Sequence, residues 1–240
     1  MAVVQLFATC LVDWLAPQVG DATVMVLEKA GCTVAVPAGQ TCCGQPAYNA
    51  GLEPQARRMA AHTLDVLDGT QGPVVVPSGS CADMLIHHLP ELMAGDEKYE
   101  PMALRVAARV RELTAFLVDD LGVHDLEAAS PGKAVFHPSC HGLRNLGLRQ
   151  QPLTLLDGVE GLELVSQEGR EECCGFGGLF SLELPEMSEA ILNAKLDSIE
   201  DCHPDQLIGV DVSCLLHMAG GLHRRGSAIQ VRHIAEVLGG

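Results

Sequence analysis

Cysteine carries the clearest chemistry in this sequence. Eight of the 10 cysteines fall into two sets with the same order: one cysteine, an adjacent pair, one cysteine. The gaps are 31 and 37 residues in the first set and 32 and 39 in the second. The first set is Cys10, Cys42, Cys43 and Cys81, and the second is Cys140, Cys173, Cys174 and Cys214. Four thiolates at one place suit a [4Fe–4S] cluster or a tetrahedral zinc ion.

The two sets belong to an internal repeat. Val3–Cys10 resembles Lys133–Cys140, and Gln40–Gly44 resembles Glu171–Gly175. Corresponding cysteines are separated by 130, 131 and 133 positions, and chance does not readily produce offsets so constant. We therefore expect a first repeat over residues 1–125 and a second over residues 130–240.

Short apolar runs alternate with longer segments of helical periodicity in both repeats. This alternation predicts an α/β fold in which each repeat is a small parallel sheet flanked by helices. The strands expected are Val3–Phe7, Thr33–Val36 and Val74–Val76, then Ala134–Phe136, Glu163–Val165 and Leu207–Val210. The helices expected include Leu52–Leu67, Met102–Asp119 and Leu184–Glu200. Because the cysteines follow the strands, they should meet at the carboxyl ends of the strands, where parallel sheets form their ligand sites.

The adjacent cysteine pairs are the most informative part of the pattern. Two neighbouring side chains reach one metal centre only from a sharp turn, and Gly44 and Gly175 directly follow the two pairs. A strained vicinal disulfide, or two structural cysteines buried side by side, are the alternatives. The repetition of the pair in both halves, each time with matching outlying cysteines, favours the metal site.

These motifs resemble a known family. The pattern of a cysteine, then Cys-Cys-Gly, then a further cysteine is similar to the cysteine-rich "CCG" domain of heterodisulfide reductase and of the glycolate oxidase iron–sulfur subunit. The resemblance is closest to the lactate-utilisation protein A family. It is carried by the segments Phe7–Asp13, Gly39–Gly51, Pro77–Cys81, Cys173–Gly178 and His233–Leu238.

The resemblance implies an oxidoreductase subunit of a system that converts L-lactate to pyruvate. It implies one [4Fe–4S] cluster per repeat, held by the two cysteine sets. It also implies two partners, a ferredoxin-like iron–sulfur subunit and a third small subunit.

One departure from heterodisulfide reductase concerns the last motif, Cys-x-x-Cys. The second cysteine is replaced by Met84 in the first repeat and by His217 in the second. This favours conventional four-thiolate sites, and it leaves zinc open at the second site with His217 as an optional ligand. A thiol–disulfide redox subunit and a zinc-stapled scaffold without catalysis remain as alternative functions.

Charge and hydropathy exclude other classes of protein. The formal net charge is −16, whereas binding to nucleic acid phosphates requires a basic surface. No apolar run approaches the ~20 residues of a membrane span, and no basic segment precedes an apolar one as in a signal peptide. We therefore expect a cytoplasmic protein without nucleic-acid partners.

A few residues near the cysteines are secondary candidates. His137 and His141 flank Cys140, where they can tune a cluster through hydrogen bonds or carry protons. Tyr48 and Asn49 follow the first cysteine pair, and they are candidates for a substrate or partner surface. Cys32 and Cys202 have no counterparts in the other repeat and are interpreted as ordinary small buried residues.

Overall fold

The structure, a computed structural model, describes residues 3–240, so positions 1 and 2 of the first expected repeat lie outside the described residues. The first half contains a four-stranded parallel sheet with the strand order β2-β1-β3-β4. Its strands are β1 (Val3–Leu6), β2 (Thr33–Ala35), β3 (Val74–Val76) and β4 (Val110–Glu112).

The second half repeats this sheet. Its four strands are again all parallel, in the equivalent order β6-β5-β7-β8. They are β5 (Ala129–His137), β6 (Glu160–Leu164), β7 (Gln206–Gly209) and β8 (Gln230–His233). The prediction of two repeats, each a parallel sheet with flanking helices, is therefore confirmed.

Helices connect the strands and cover the sheets. In the first half they are α1 (Cys10–Leu15), α2 (Pro17–Lys29), α3 (Gln45–Asn49), α4 (Glu53–Leu67), α5 (Gly79–Asp83), α6 (Leu89–Met93), α7 (Tyr99–Arg109) and α8 (Leu113–Ala115). In the second half they are α9 (Gln151–Asp157), α10 (Phe180–Glu183), α11 (Pro185–Glu200), α12 (Val212–Arg224) and α13 (Ile234–Leu238). Three π-helical turns follow α5, α8 and Cys140, over Met84–His88, Phe116–Asp120 and His141–Asn145. No helix within residues 3–240 is both long enough and apolar enough to cross a bilayer.

The predicted helix Met102–Asp119 is wrong. Helix α7 ends at Arg109, and the chain then forms strand β4, which pairs in parallel with β3. Val106, Val110 and Leu113 have the spacing of one face of a helix, and this spacing continues across the boundary between α7 and β4. Pairing with the buried strand β3 overrides that periodicity, and Val110 is itself fully buried.

The two halves share their largest hydrophobic core. Val4 and Val26 from the first half and Phe136, Ile208 and Ile234 from the second belong to one buried cluster. The halves are therefore packed against each other through apolar surface, which is the main stabilising contribution to such a contact.

A buried carboxylate also joins the halves. Asp211, which is 2% exposed, accepts hydrogen bonds from the Ser78 hydroxyl at 3.0 Å and the Ser80 amide at 2.8 Å across the interface. Its other oxygen accepts from the Ser213 amide, at 3.1 Å, and so caps the start of α12. Although burial opposes ionisation of Asp211, these hydrogen bonds hold its pKa below the usual value.

A second buried acid, Glu112, ends strand β4. One carboxylate oxygen accepts hydrogen bonds from the Thr114 amide, the Thr114 hydroxyl and the Ala115 amide, while the other has no hydrogen-bond partner. Burial raises the pKa of Glu112 to about 7 despite these hydrogen bonds, and the nearby charge of Asp211 acts in the same direction.

The raised pKa of Glu112 predicts a pH-dependent stability. The usual carboxyl pKa is 4.5, so between about pH 4.5 and pH 7 the folded chain binds more protons at this position than the unfolded chain. The free energy of unfolding should therefore fall as the pH rises through this range, by about 3 kcal/mol in all. Glu112→Gln should remove this dependence in urea unfolding measured at several pH values. The exposed Glu163→Gln should leave it intact, and identical profiles for the two variants would contradict the interpretation.

Candidate metal centres

The cysteines that follow β1, β3 and β7 lie in the first turn of a helix. Cys10 is the first residue of α1, whose N-cap is Thr9. The Ser78 hydroxyl caps α5 and accepts a hydrogen bond from the amide of Cys81 at 3.3 Å. Cys214 lies in the first turn of α12, which Asp211 caps. Amide groups at helix N-termini carry partial positive charge, and they would therefore stabilise a negatively charged metal–thiolate centre at these positions.

The adjacent pairs lie in sharp turns that depend on glycine. Gly44 and Gly175 have φ values of +92° and +89°, in the left-handed region that favours glycine. The amide of Gly175 donates a hydrogen bond to the Cys173 sulfur at 3.3 Å. All ten cysteines are free, so the pairs are not vicinal disulfides in this structure.

In the first repeat the four predicted sulfurs lie next to one another. Cys42 is hydrogen bonded to both Cys10 and Cys43, and the Cys43 thiol donates to the Cys81 sulfur over 3.3 Å. The hydrogen bond from Cys10, together with those from Cys43 and the Gly44 amide, lowers the pKa of Cys42 to about 3. Donation to Cys42 raises the pKa of Cys10 and of Cys43.

The second repeat has the same arrangement. Hydrogen bonds from Cys140, Cys174 and the Gly175 amide lower the pKa of Cys173 to about 2. Cys174 is hydrogen bonded to Cys173 and Cys214, and these contacts raise its pKa. In each set the first cysteine of the pair is thus the favoured thiolate, and raised pKa values keep two of its neighbours protonated: Cys10 and Cys43 in the first set, Cys140 and Cys174 in the second.

These two clusters fit a metal centre by the chemistry of their donors. Metal ions bind thiolates, and a bound cation replaces the protons that otherwise keep crowded sulfurs neutral. Cys43 and Cys174 are almost completely buried, at 1% and 2% exposure, whereas the first cysteine of each set and the first of each pair are only partly buried, so each centre would have one side toward the protein interior and one toward the surface. Contacts from one sulfur to the next link the four cysteines of the first set, and equivalent contacts link the four cysteines of the second.

His137 is a donor that the sequence did not single out as a ligand. One of its ring nitrogens and the sulfurs of Cys174 and Cys214 all lie within 4.8 Å of one another. The predicted optional ligand His217 is not in this group. Its Nε2 lies 3.4 Å from the Ser188 hydroxyl, and its ring packs against Phe176.

A buried cation also lies near the second set. Lys195 is fully buried in α11, and its ammonium group donates to the carbonyls of Gly169 at 3.0 Å and Arg170 at 2.9 Å. Burial lowers the pKa of Lys195 to about 8, although the negative charges of Glu172 and of the nearby cysteines act to raise it. The ammonium fixes the loop before the cysteine pair and partly offsets the negative charge of the thiolates.

Asp83 organises a polar cluster between the two sets, which sequence reasoning missed. Its buried carboxylate receives hydrogen bonds from His87 at 2.7 Å, from His141 at 2.6 Å and from Asn145 at 2.7 Å. These contacts overcome the opposing effect of burial and lower the pKa of Asp83, while the carboxylate raises the pKa of His141. The spacing of Asp83 and His87, four residues apart, is the one sequence signal for this cluster.

The remaining candidates lie outside the two thiol clusters. Tyr48 stacks on His88 with ring centroids 4.9 Å apart and lines a surface cavity with Arg57. Asn49 is exposed. Cys32 is buried in the shared core, and the Cys202 thiol donates to the Ser198 carbonyl at 3.3 Å.

The turn at Gly175 yields a test of the local geometry. A Cβ at this position would lie 2.6 Å from the carbonyl oxygen of Ser188 in α11, and the positive φ adds strain. Gly175→Ala should therefore lower the free energy of unfolding by about 2–4 kcal/mol. Gly178 also has a positive φ, but a Cβ there would have no atom within 4 Å, so Gly178→Ala should cost only about 1 kcal/mol. Equal losses in urea unfolding would contradict this assignment of the close contact.

Comparisons with known proteins agree with the repeat and with the cysteines. The profile of a family described as CCG, a cysteine-rich domain, matches residues 4–86 and 134–219. Lactate utilization protein A from Anoxybacillus flavithermus is 46% identical over 235 residues, which cover 98% of each chain. The protein of the same name from Geobacillus kaustophilus is 47% identical, again with 98% of each chain covered. Lactate utilization protein A 2 from Bacillus cereus is 43% identical over 98% of this chain and 97% of its own.

Proposed function

The chain belongs to the lactate utilization protein A family of CCG cysteine-rich proteins, and we propose that it is the iron–sulfur electron-transfer subunit of a system that oxidises L-lactate to pyruvate. The observation that carries the proposal is the presence of two clusters of four cysteines, each at the carboxyl ends of parallel strands. The names of the relatives support lactate as the substrate of the system.

The residues that would hold the clusters are the eight cysteines of the two sets. Oxidation of lactate to pyruvate releases two electrons and two protons, and iron–sulfur clusters accept electrons one at a time. The thiolates would fix each cluster in the fold, and the buried cysteines Cys43 and Cys174 would hold its inner side.

Close packing of the halves supports electron transfer between the two sites. A Cβ on Gly79 would lie 3.1 Å from the Cα of Gly142, so the backbones touch here. Cys81 lies two residues after Gly79, and Cys140 lies two residues before Gly142. Since consecutive Cα atoms are 3.8 Å apart, the Cα atoms of these two cysteines are within roughly 20 Å of each other.

The partners in this proposal are a ferredoxin-like iron–sulfur subunit and a third small subunit. Electrons need an exit from the chain, and a protein of net charge −16 would favour a partner with a basic docking face. Zinc at the second site is the alternative for the metal, because a donor set of cysteines with one histidine is common among structural zinc sites.

Growth on L-lactate tests the proposal. In a strain that lacks the gene for this chain and any other lactate dehydrogenase, Cys43→Ser and Cys174→Ser should not restore growth on L-lactate. Both variants should permit growth on pyruvate, because the step that they lack is the formation of pyruvate from lactate. Cys32→Ser is the matched control, since Cys32 is also buried but lies outside both clusters, and it should restore growth.

Protein levels in each strain, measured with an antibody, separate loss of the site from loss of the protein. Growth on L-lactate of the Cys43→Ser or Cys174→Ser strain at the wild-type rate would overturn the role of the clusters. Normal growth of the deletion strain itself would overturn the role of the chain in lactate oxidation.

A further inference from the structure

His137 occupies an unusual place for a histidine. It is the last residue of β5 and is 1% exposed. Neither ring nitrogen has a hydrogen-bond partner, although both are buried. A buried polar atom without a partner costs about 1–3 kcal/mol, so two in one ring require an explanation.

The position of the ring supplies that explanation. One ring nitrogen and the sulfurs of Cys174 and Cys214 are mutually within 4.8 Å. Zinc binds histidine nitrogen at about 2.0–2.1 Å and cysteine sulfur at about 2.3 Å, so donors around one ion lie roughly 3–4 Å apart. Small side-chain movements would bring these three atoms onto a common ion.

The first repeat indicates that folding does not require a histidine here. Phe7 occupies the equivalent position, 130 residues earlier, at the same offset as Cys10 and Cys140. Phe7 is as deeply buried, at 1% exposure, and has no donor atom. An aromatic hydrocarbon therefore satisfies the packing at this position, and the imidazole of the second repeat adds donor chemistry.

We propose that His137 is a ligand of the metal centre in the second repeat, which therefore has a mixed histidine–cysteine donor set, while cysteines alone hold the centre of the first repeat. This inference rests on the part of the proposed function that says the cysteine sets bind metal. It adds that the two centres differ in their ligands, although their cysteines match.

The electrostatics around His137 suit this role. Imidazole binds a metal in its neutral form, so it adds no negative charge to the centre, and the buried ammonium of Lys195 interacts electrostatically with the same cysteine set. Lys195 itself, at the offset of 131 residues that separates the cysteine pairs, corresponds to the buried, uncharged Leu64. A neutral ligand and a buried cation both reduce the negative charge around the second centre.

A difference in charge has a direct consequence for electron transfer. In this arrangement His137 binds the metal beside Cys174 and Cys214 in place of one of the other two cysteines of the set, and such an exchange of thiolate for imidazole raises the reduction potential of an iron–sulfur centre. The second centre should therefore have the higher potential, and electrons should pass from the first repeat to the second.

The experiment uses the full chain, purified without oxygen. Iron, sulfide and zinc are first measured per chain, which tests for metal at the cysteine sets. Pulsed electron paramagnetic resonance of the reduced protein then detects a coordinated nitrogen, and growth with ¹⁵N-histidine shifts that signal if the nitrogen belongs to histidine. Where the second centre holds zinc, X-ray absorption detects a nitrogen neighbour at about 2.0–2.1 Å.

His137→Phe copies the residue of the first repeat and should abolish the nitrogen signal, while the reduction potential of an iron-containing second centre should fall. His217→Phe is the matched control: His217 lies three residues after Cys214, its ring contacts Ser188 and Phe176, and its loss should leave the nitrogen signal unchanged. If His137→Phe does not fold, an isotope-shifted signal that persists in labelled His217→Phe still assigns the nitrogen to a histidine other than His217.

The outcomes separate the two proposals. A second centre loaded with metal but without a histidine nitrogen, or with a nitrogen signal that survives in His137→Phe, overturns the inference and leaves the proposed function standing. A chain that purifies with no metal at either cysteine set overturns both.

Discussion

Crowding of the sulfurs is the constraint on which the site depends. In each repeat one thiolate accepts hydrogen bonds from two neighbouring thiols, and this donation, together with repulsion between negative charges, opposes the ionisation of Cys10 and Cys43 in the first set and of Cys140 and Cys174 in the second. The fold holds these groups together through parallel strands, glycine turns and helix N-termini. A cation among the sulfurs would convert this repulsion into attraction, so metal binding should stabilise the folded chain as well as equip it for electron transfer.

The two halves are joined by polar contacts as well as by apolar packing. Cys81 and Cys140, one from each set, lie two residues from Gly79 and Gly142, where the backbones of the halves touch. Buried carboxylates on either side of this contact, Asp83 and Asp211, accept hydrogen bonds from both halves. These hydrogen bonds fix the relative position of the two sites, and burial of the shared apolar core stabilises the contact between the halves.

Much of this arrangement could be predicted from the sequence. The constant offsets between cysteines define the repeat, and short apolar runs before the cysteines predict three strands in each sheet. The fourth strands, β4 and β8, escape prediction because Val110–Glu112 and Gln230–His233 are too short for periodicity to distinguish them from the helices they adjoin. Only the sheet pairing reveals them.

Contacts between the halves lie beyond sequence reasoning for a different reason. Asp211 and Ser78 are 133 residues apart, and Asp83 and His141 are 58 apart, so no local pattern connects them. His137 stands three residues before a predicted ligand, and its proximity to Cys140 is visible in the sequence. Its unpartnered nitrogens, and the contrast with the buried Phe7, emerge only from the packing of the two repeats.

The central claim is that each cysteine set holds a metal centre, with iron in the first. Anomalous diffraction from anaerobically grown crystals, recorded on both sides of the iron and zinc absorption edges, tests it most directly. We expect one metal peak among Cys10, Cys42, Cys43 and Cys81, with the signature of iron, and another among Cys140, Cys173, Cys174 and Cys214. Free thiols without a peak in either set, or zinc alone in both, would contradict it.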